Sequence, residues 1–548
     1  MDVKIIKNLV LTIVLMVSFN SIAQKRDKPK LIIGLVVDQM RAEYLYRFQD
    51  NYGENGFRRL IKEGFNVKNI HYNYIPTATG PGHASIFSGT TPEHHGIVGN
   101  DWYDRRLKRA VYCAEDTTAY LINNDNIISS EINKYSRSPK NLLTTNIADE
   151  LKLFTNGRSK VIGLSLKDRG AIFPSGHMAD YAFWYNTETG DFITSSYYDS
   201  KLPDWLIKFN NQKQADKLLN QTWDTYFPIE RYINSTLDNA TFEHHFNGKQ
   251  APTFPYHLKE LRKYNGNFTL LTQVPQGNTL LTSMAIAAIK GEKLGHGNDV
   301  DFLTISYSST DYIGHNFGIR SKELEDTYVR LDRELEKLLN YLDTTLGENN
   351  FLLFLTADHA ASDNPVFLKQ SNLSGQFYDP QKIALDLNSY LSKEFGTKNY
   401  ISFFDKTQIY ISDSFRTNQS ILEASLLFLQ TQVKGIKNVY IPNLRSNVLM
   451  NSDIGQVFMN SYNPLNSGDI LLNFYSGWME QRAFGTNHGT AYNSDTNVPL
   501  LWYGYGIPKG ETVKLYTIDQ IASTVSFLVG IPLPNSAKSK PITELFED

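Results

Sequence analysis

Two short runs, Leu31-Ile32-Ile33-Gly34-Leu35-Val36-Val37 and Phe351-Leu352-Leu353-Phe354-Leu355-Thr356, leave this chain little freedom. Each is almost continuously apolar over the length of one strand. A strand that can show neither face to water must lie in a sheet covered on both sides, as parallel strands crossed over by helices do. Asp301 to Tyr307 and Val161 to Leu166 read as further strands, and Val498 to Tyr503 as another. Helices are expected over 139–154, 279–290 and 518–528. A longer one carries Leu324, Tyr328, Leu331, Leu335, Leu338 and Leu342 on a single stripe. The fold class is therefore α/β, with a largely parallel central sheet and helices on both faces.

Open sheets of this kind bind ligands at the carboxyl ends of their strands, and the residues found there carry chemistry. Asp38 follows the first run, and Ala357-Asp358-His359 follows Thr356. Asp311 and His315, four apart, come just after Tyr307, so both can face one ion across a helical turn. His488 lies in the glycine-flanked loop Gly485-Thr486-Asn487-His488-Gly489. Singly, Asp38 could be a helix cap and each His-Asp pair a buried salt bridge. Together, imidazole and carboxylate ligands without thiolate suit zinc, with manganese or iron as alternatives.

A second stretch, Ile75 to Asp101, places Thr79 in Thr77-Ala78-Thr79-Gly80-Pro81-Gly82, between a strand-like run (Phe65 to Tyr74) and a helix expected to begin near His83. Thr79 reads either as that helix's N-cap or as a nucleophile at an anion-favouring helix start. Past the strand at 161–166, Lys167-Asp168-Arg169 reads either as surface charge or as two cations aimed at a phosphoryl group.

In this order, Asp38, Thr79, Asn100, Asp311-x-x-x-His315, Asp358-His359 and His488 resemble the alkaline phosphatase superfamily over essentially the whole mature chain. Lys167-x-Arg169 with Asn100 resembles its phosphate-irrepressible bacterial branch. Nucleotide pyrophosphatase/phosphodiesterases share the Thr and Asn but generally lack the cation pair. Thr79-Gly80-Pro81-Gly82 does not match a sulfatase. The resemblance implies an alkaline-phosphatase-like sandwich with inserted cap regions and two zinc ions. One zinc would be held by Asp311, His315 and His488, and the other by Asp38, Asp358, His359 and Thr79. Thr79 would be the nucleophile, and Asn100, Lys167 and Arg169 would bind the phosphoryl oxygens of small phosphate monoesters. Two cations suit a monoester dianion better than a diester. The alternatives are a phosphodiesterase or nucleotide pyrophosphatase on the same fold, or a non-catalytic metal- or ligand-binding protein.

The rest of the chain sets boundaries. Lys4 and Lys7, the apolar run Leu9 to Phe19 and Ser21-Ile22-Ala23 read as a signal peptide, 1–23, with no membrane anchor once it is cleaved. The mature protein, 24–548, is expected as one exported catalytic domain, periplasmic or secreted, and monomeric. Insertions are expected at about 171–275, where aromatics crowd and periodicity weakens, and at 363–484, with a helix near 421–432 and strands at 439–441 and 470–474. Residues 100–140 read as loop and Glu544 to Asp548 as a solvated acidic tail. A formal net charge of -3 argues against a nucleic-acid-binding surface. Cys113 is the one cysteine, which excludes an internal disulfide or a cysteine metal site.

Overall fold

The computed structural model describes residues 28–124, 136–444, 452–482 and 484–546. The signal-peptide segment lies outside the described residues. At the centre are four parallel strands, β1 (Leu31–Val37), β2 (Val161–Ser165), β3 (Asp301–Tyr307) and β4 (Phe351–Thr356), ordered β4-β1-β3-β2. Every residue in them is buried. Helices cover both faces, so a side chain pointing either way meets apolar partners, which is why these runs need no polar alternation. Val36 pairs with Ser306 on one side and Thr356 on the other, so the carboxyl ends finish level. That common edge carries the candidate site.

The sheet extends to ten strands. Beyond β2 come Tyr181–Tyr185, parallel, then Phe192–Ser195 and Leu121–Ile122, antiparallel. Two of these strands fall within the stretch read from sequence as an insertion. Tyr-Ala-Phe-Trp-Tyr, buried in all but its first residue, lacks the period-two signal that marks a half-buried strand. Residues 100–140 are likewise more than loop, because Asp101–Asp104 and Arg109–Tyr112 form a hairpin. The helix expected from 139 begins only at Ile147, where Asn146 and Asp149 make a capping box. The strand expected over 498–503 is two, Asn497–Val498 and Leu501–Gly504, which belong to different sheets.

Four helices bear on the site: α1 (Thr79–Ser88), α2 (Asp168–Ser175), α3 (Ser309–Phe317) and α4 (Lys322–Leu346). α4 buries the whole leucine stripe, 324 to 342. At about 1.5–3 kcal/mol per fully buried large apolar side chain, that face fixes α4 against the sheet and hence the turn leading into β4. Residues 380–444 and 470–474 build a second core, in which helices Pro380–Phe395 and Gln419–Thr431 pack on a four-stranded sheet ordered 401–405, 408–411, 470–474, 436–440. Glu544 is no solvated tail, since it bonds the Tyr516 hydroxyl and sits 2.8 Å from Lys514 Nζ. No helix of the described residues is long and apolar enough to cross a membrane.

Candidate active site

The level strand ends bring the expected residues to one place. Asp38 leaves β1 and turns through Gln39, which takes a left-handed φ of 66°. Asp311 stands in the first turn of α3, and Asp358 and His359 follow β4. Donor atoms of Asp311, His315 and His488 lie within 4.8 Å of one another, as do those of Asp38, Asp311 and His359. Asp311 thus joins both groups. Asp358 stands beside the second, its Oδ2 3.7 Å from His359 Nε2.

The three histidines share one arrangement. His315 Nδ1 contacts the Thr486 carbonyl (2.8 Å), His359 Nδ1 that of Ala360 (3.0 Å) and His488 Nδ1 that of Thr77 (2.6 Å). A carbonyl only accepts, so the Nδ1 atoms of His359 and His488 carry the proton and their Nε2 lone pairs are left for the interior; at His315 the Thr486 carbonyl favours the same tautomer. This is the outer-shell pattern of metal-binding imidazoles. Arg482 Nη1 also lies 3.0 Å from His315 Nδ1, a contact that competes with the Thr486 bond for that nitrogen. Burial pushes His359 and His488 well below the usual histidine range, so their rings are neutral.

Charge and hydrogen bonding ask for a cation here. Asp38 Oδ1, Asp358 Oδ2 and His359 Nε2 are buried without hydrogen-bond partners, and Nε2 lies 3.6 Å from Asp38 Oδ1. Stranded lone pairs of this kind are costly in a folded interior. Lys167 Nζ bonds Asp38 Oδ2 (2.7 Å) and Asp311 Oδ2 (2.6 Å), one ammonium against two carboxylates, while Asp358 has none. Burial pushes Asp38 up to about 6, partly offset by Lys167. Burial and the Asp38 charge hold Asp358 well above the carboxylate range. The donor set fits divalent ions bound through nitrogen and oxygen.

Thr79 occupies the first position of α1, four residues earlier than expected, and is almost fully buried. Ala78 is the N-cap, and the Gly80 N–H donates to Asn100 Oδ1 (2.8 Å), so the Thr79 hydroxyl does not cap the helix. Proline and glycine are tolerated in a first turn whose N–H groups lack helical partners, which is how the helix begins before Gly80-Pro81-Gly82. His83, a turn later, contacts the Thr79 carbonyl (2.9 Å) and Ser306 Oγ (2.8 Å) and lies 3.4 Å from Asp358, tying α1 to β3 and β4. A Cβ on Gly82 would lie 2.1 Å from the Asp358 carbonyl, so α1 touches the end of β4 through bare backbone.

Of the expected phosphoryl-binding cations, Lys167 is spent on the two carboxylates. Arg169 donates Nη1 to the Tyr112 hydroxyl (3.1 Å), and its Nε is buried without a partner. Sequence reasoning missed Gln39, whose Nε2 donates to Asp311 Oδ1 (2.6 Å) and whose N–H donates to Asp358 Oδ1 (3.2 Å). Its only signal was adjacency to Asp38. Tyr112 and Arg482 gave none.

A family model for type I phosphodiesterase / nucleotide pyrophosphatase matches residues 32–406. The chain is 41% identical to alkaline phosphatase PhoV of Synechococcus elongatus, over 95% of this chain and 93% of that protein. It is 40% identical to alkaline phosphatase PafA of Elizabethkingia meningoseptica, over 97% and 98%. A crystal structure of wild-type alkaline phosphatase PafA superposes with a TM-score of 0.90 at 39% identity, covering 95% of this chain and 99% of that one.

Proposed function

The chain belongs to the type I phosphodiesterase / nucleotide pyrophosphatase family and, within the alkaline phosphatase superfamily, stands with PafA and PhoV; from that premise we propose an exported, zinc-dependent phosphomonoesterase that uses Thr79 as nucleophile. The observation that carries the reading is the pairing of three stranded donor atoms, on Asp38, Asp358 and His359, with the adjoining Asp311-His315-His488 group. Asp311, His315 and His488 would hold one zinc; Asp38, Asp358 and His359, with the Thr79 oxygen, would hold the other. When bound, the two ions supply Lewis acidity at the attacking and departing oxygens.

The chain's own residues do the rest. The Thr79 oxygen attacks phosphorus in line, the alcohol departs, and water then frees inorganic phosphate from the phosphothreonine. α1 holds Thr79 at its first position, where the positive end of the helix dipole favours an anion. Arg169 would offer its unpaired Nε–H to the non-bridging oxygens, where charge is spread in a loose transition state. Lys167 balances Asp38 and Asp311 and adds its charge to the same field. Asn100 fixes the first turn of α1 through its Oδ1 on Gly80, and its amide Nδ2 would address the same oxygens. The substrates are small phosphate monoesters, and the enzyme is a periplasmic or secreted monomer.

The family model's name favours a diesterase as the rival reading. A buried guanidinium with a free N–H favours the more highly charged monoester dianion instead. Rates on matched aryl monoester, bis-aryl diester and aryl sulfate, with metal analysis on the same sample, test the reading. The monoester should be fastest, about two zinc ions per chain should be present, and Thr79→Ala should abolish turnover. A faster diester, absent zinc or an active Thr79→Ala enzyme would sink it.

A further inference from the structure

Of the two expected phosphoryl-binding cations, Arg169 is the one with an unpaired N–H, yet a carboxylate lies beside it. Asp168, the preceding residue, could draw the guanidinium into an ion pair and remove it from substrate. Three contacts prevent this. Asp168 Oδ2 accepts from Arg137 Nε (2.5 Å), and Oδ1 accepts from the Arg169 backbone N–H (2.6 Å) and from the Tyr112 hydroxyl. That same hydroxyl accepts from Arg169 Nη1 (3.1 Å). Tyr112 therefore stands between carboxylate and guanidinium, donating to one and accepting from the other, while Arg137 also lies over its ring at 4.6 Å. Asp168 is held by Arg137, Tyr112 and the Arg169 backbone, and Arg169 Nε is left without a partner.

We propose that Tyr112 is a positioning and specificity-determining residue: as a hydroxyl spacer between Asp168 and Arg169, it keeps the guanidinium edge turned toward the phosphoryl group and so favours dianionic monoesters over monoanionic diesters. The proposal rests on the role given to Arg169 above. It assigns work to the 109–112 strand, which carries no zinc ligand, and it explains why the hairpin packs against the start of α2.

The test is a double-mutant cycle with Tyr112→Phe, Arg169→Ala and the double variant, each assayed on the aryl monoester and the bis-aryl diester, with inorganic phosphate as competitive inhibitor. Zinc content and Tm are checked on each sample. Tyr112→Phe keeps the ring and should fold and bind zinc normally. Loss of an oriented hydrogen bond to a charged group should lower monoester kcat/KM and phosphate affinity by about ten-fold, with a smaller fall on the diester. In the Arg169→Ala background the same change should cost less than two-fold, because there is no guanidinium left to position. An unchanged monoester-to-diester ratio in Tyr112→Phe, or a full ten-fold cost in the Arg169→Ala background, overturns the spacer role. If Arg169→Ala leaves monoester turnover intact, both the spacer and the Arg169 assignment fall. If Arg169→Ala is impaired and Tyr112→Phe is normal, the spacer alone falls.

Discussion

Gly82→Ala should separate activity from stability. Gly82 lies inside α1, where alanine gains about 1 kcal/mol of helix propensity over glycine, so a local view predicts a more stable protein. The structure predicts otherwise. The added Cβ would sit 2.1 Å from the Asp358 carbonyl oxygen and 2.8 Å from its carbon, where ordinary contacts begin at 3.4 Å. Both atoms are backbone at the end of a buried strand and cannot swing aside, so α1 must retreat by roughly 1 Å. Overpacking of this kind costs about 1–3 kcal/mol, leaving a net stability loss between about zero and 2 kcal/mol. The activity loss should be larger. Thr79 rides on the same turn, and a misplacement of about 1 Å can cost ~10²-fold. Gly80→Ala is the control. Its nearest neighbours, Asn100 Oδ1 at 3.1 Å and the Gly99 carbonyl oxygen at 3.2 Å, would have to give by only a few tenths of an ångström, so its effect should be the milder of the two. The assay is kcat/KM on the aryl monoester beside Tm and zinc content. Wild-type turnover in Gly82→Ala with an unchanged or higher Tm would refute the contact between α1 and β4 on which the placement of Thr79 rests.

Asp326 on α4 takes four hydrogen bonds, from Tyr226 N–H, Tyr232 Oη, Trp223 Nε1 and Arg330 Nε, at 2.6–2.8 Å. Asp326→Ala strands those donors and should cost about 3–5 kcal/mol in urea denaturation; a loss under about 1 kcal/mol would contradict it. Burial disfavours a charged His177, but its hydrogen bond and charge pairing with Asp149 outweigh this and raise its pKa. The pairing therefore contributes stability below the unfolded value of about 6.5, lost as pH rises through the higher folded value. His177→Gln should flatten the stability change across that window, and an unaltered profile would refute the assignment. Chelation should abolish turnover and lower Tm, because Asp38, Asp311 and Asp358 then crowd one another, and zinc should restore both. Stabilisation of about 4 kcal/mol is expected at a thousand-fold excess over Kd. Full activity after complete metal removal would rule the metal role out.

How much of this was legible in the sequence follows from how local each determinant is. β1 and β4 have their observed limits because strands buried on both faces need apolar residues almost without interruption, and chain order alone places Asp38 and Asp358 at strand ends. Asp311 and His315 were legible because a helical turn fixes their spacing. The start of α1 was misplaced because Gly80-Pro81-Gly82 looks like a turn. What makes it helical is Asn100, twenty residues on, satisfying the Gly80 N–H. Tyr181–Tyr185 was hidden by its burial, whereas the second core showed its helix near 421–432 and its strands at 439–441 and 470–474 but not their assembly, which rests on contacts that only its own strands supply. Within the site the same division holds. The groups proposed to meet metal and phosphate are residue types that chemistry restricts, so they stand out singly. Gln39, Tyr112 and Arg482 are ordinary polar residues whose importance comes from partners remote in sequence: Asp311 for Gln39, Arg169 for Tyr112 and His315 for Arg482. Reaction type is therefore the more readable property, because it follows from which groups are present. Choice among phosphate esters depends on which of those groups are free, and Lys167 and Arg169, two positions apart, differ in that respect only through partners that folding brings to them.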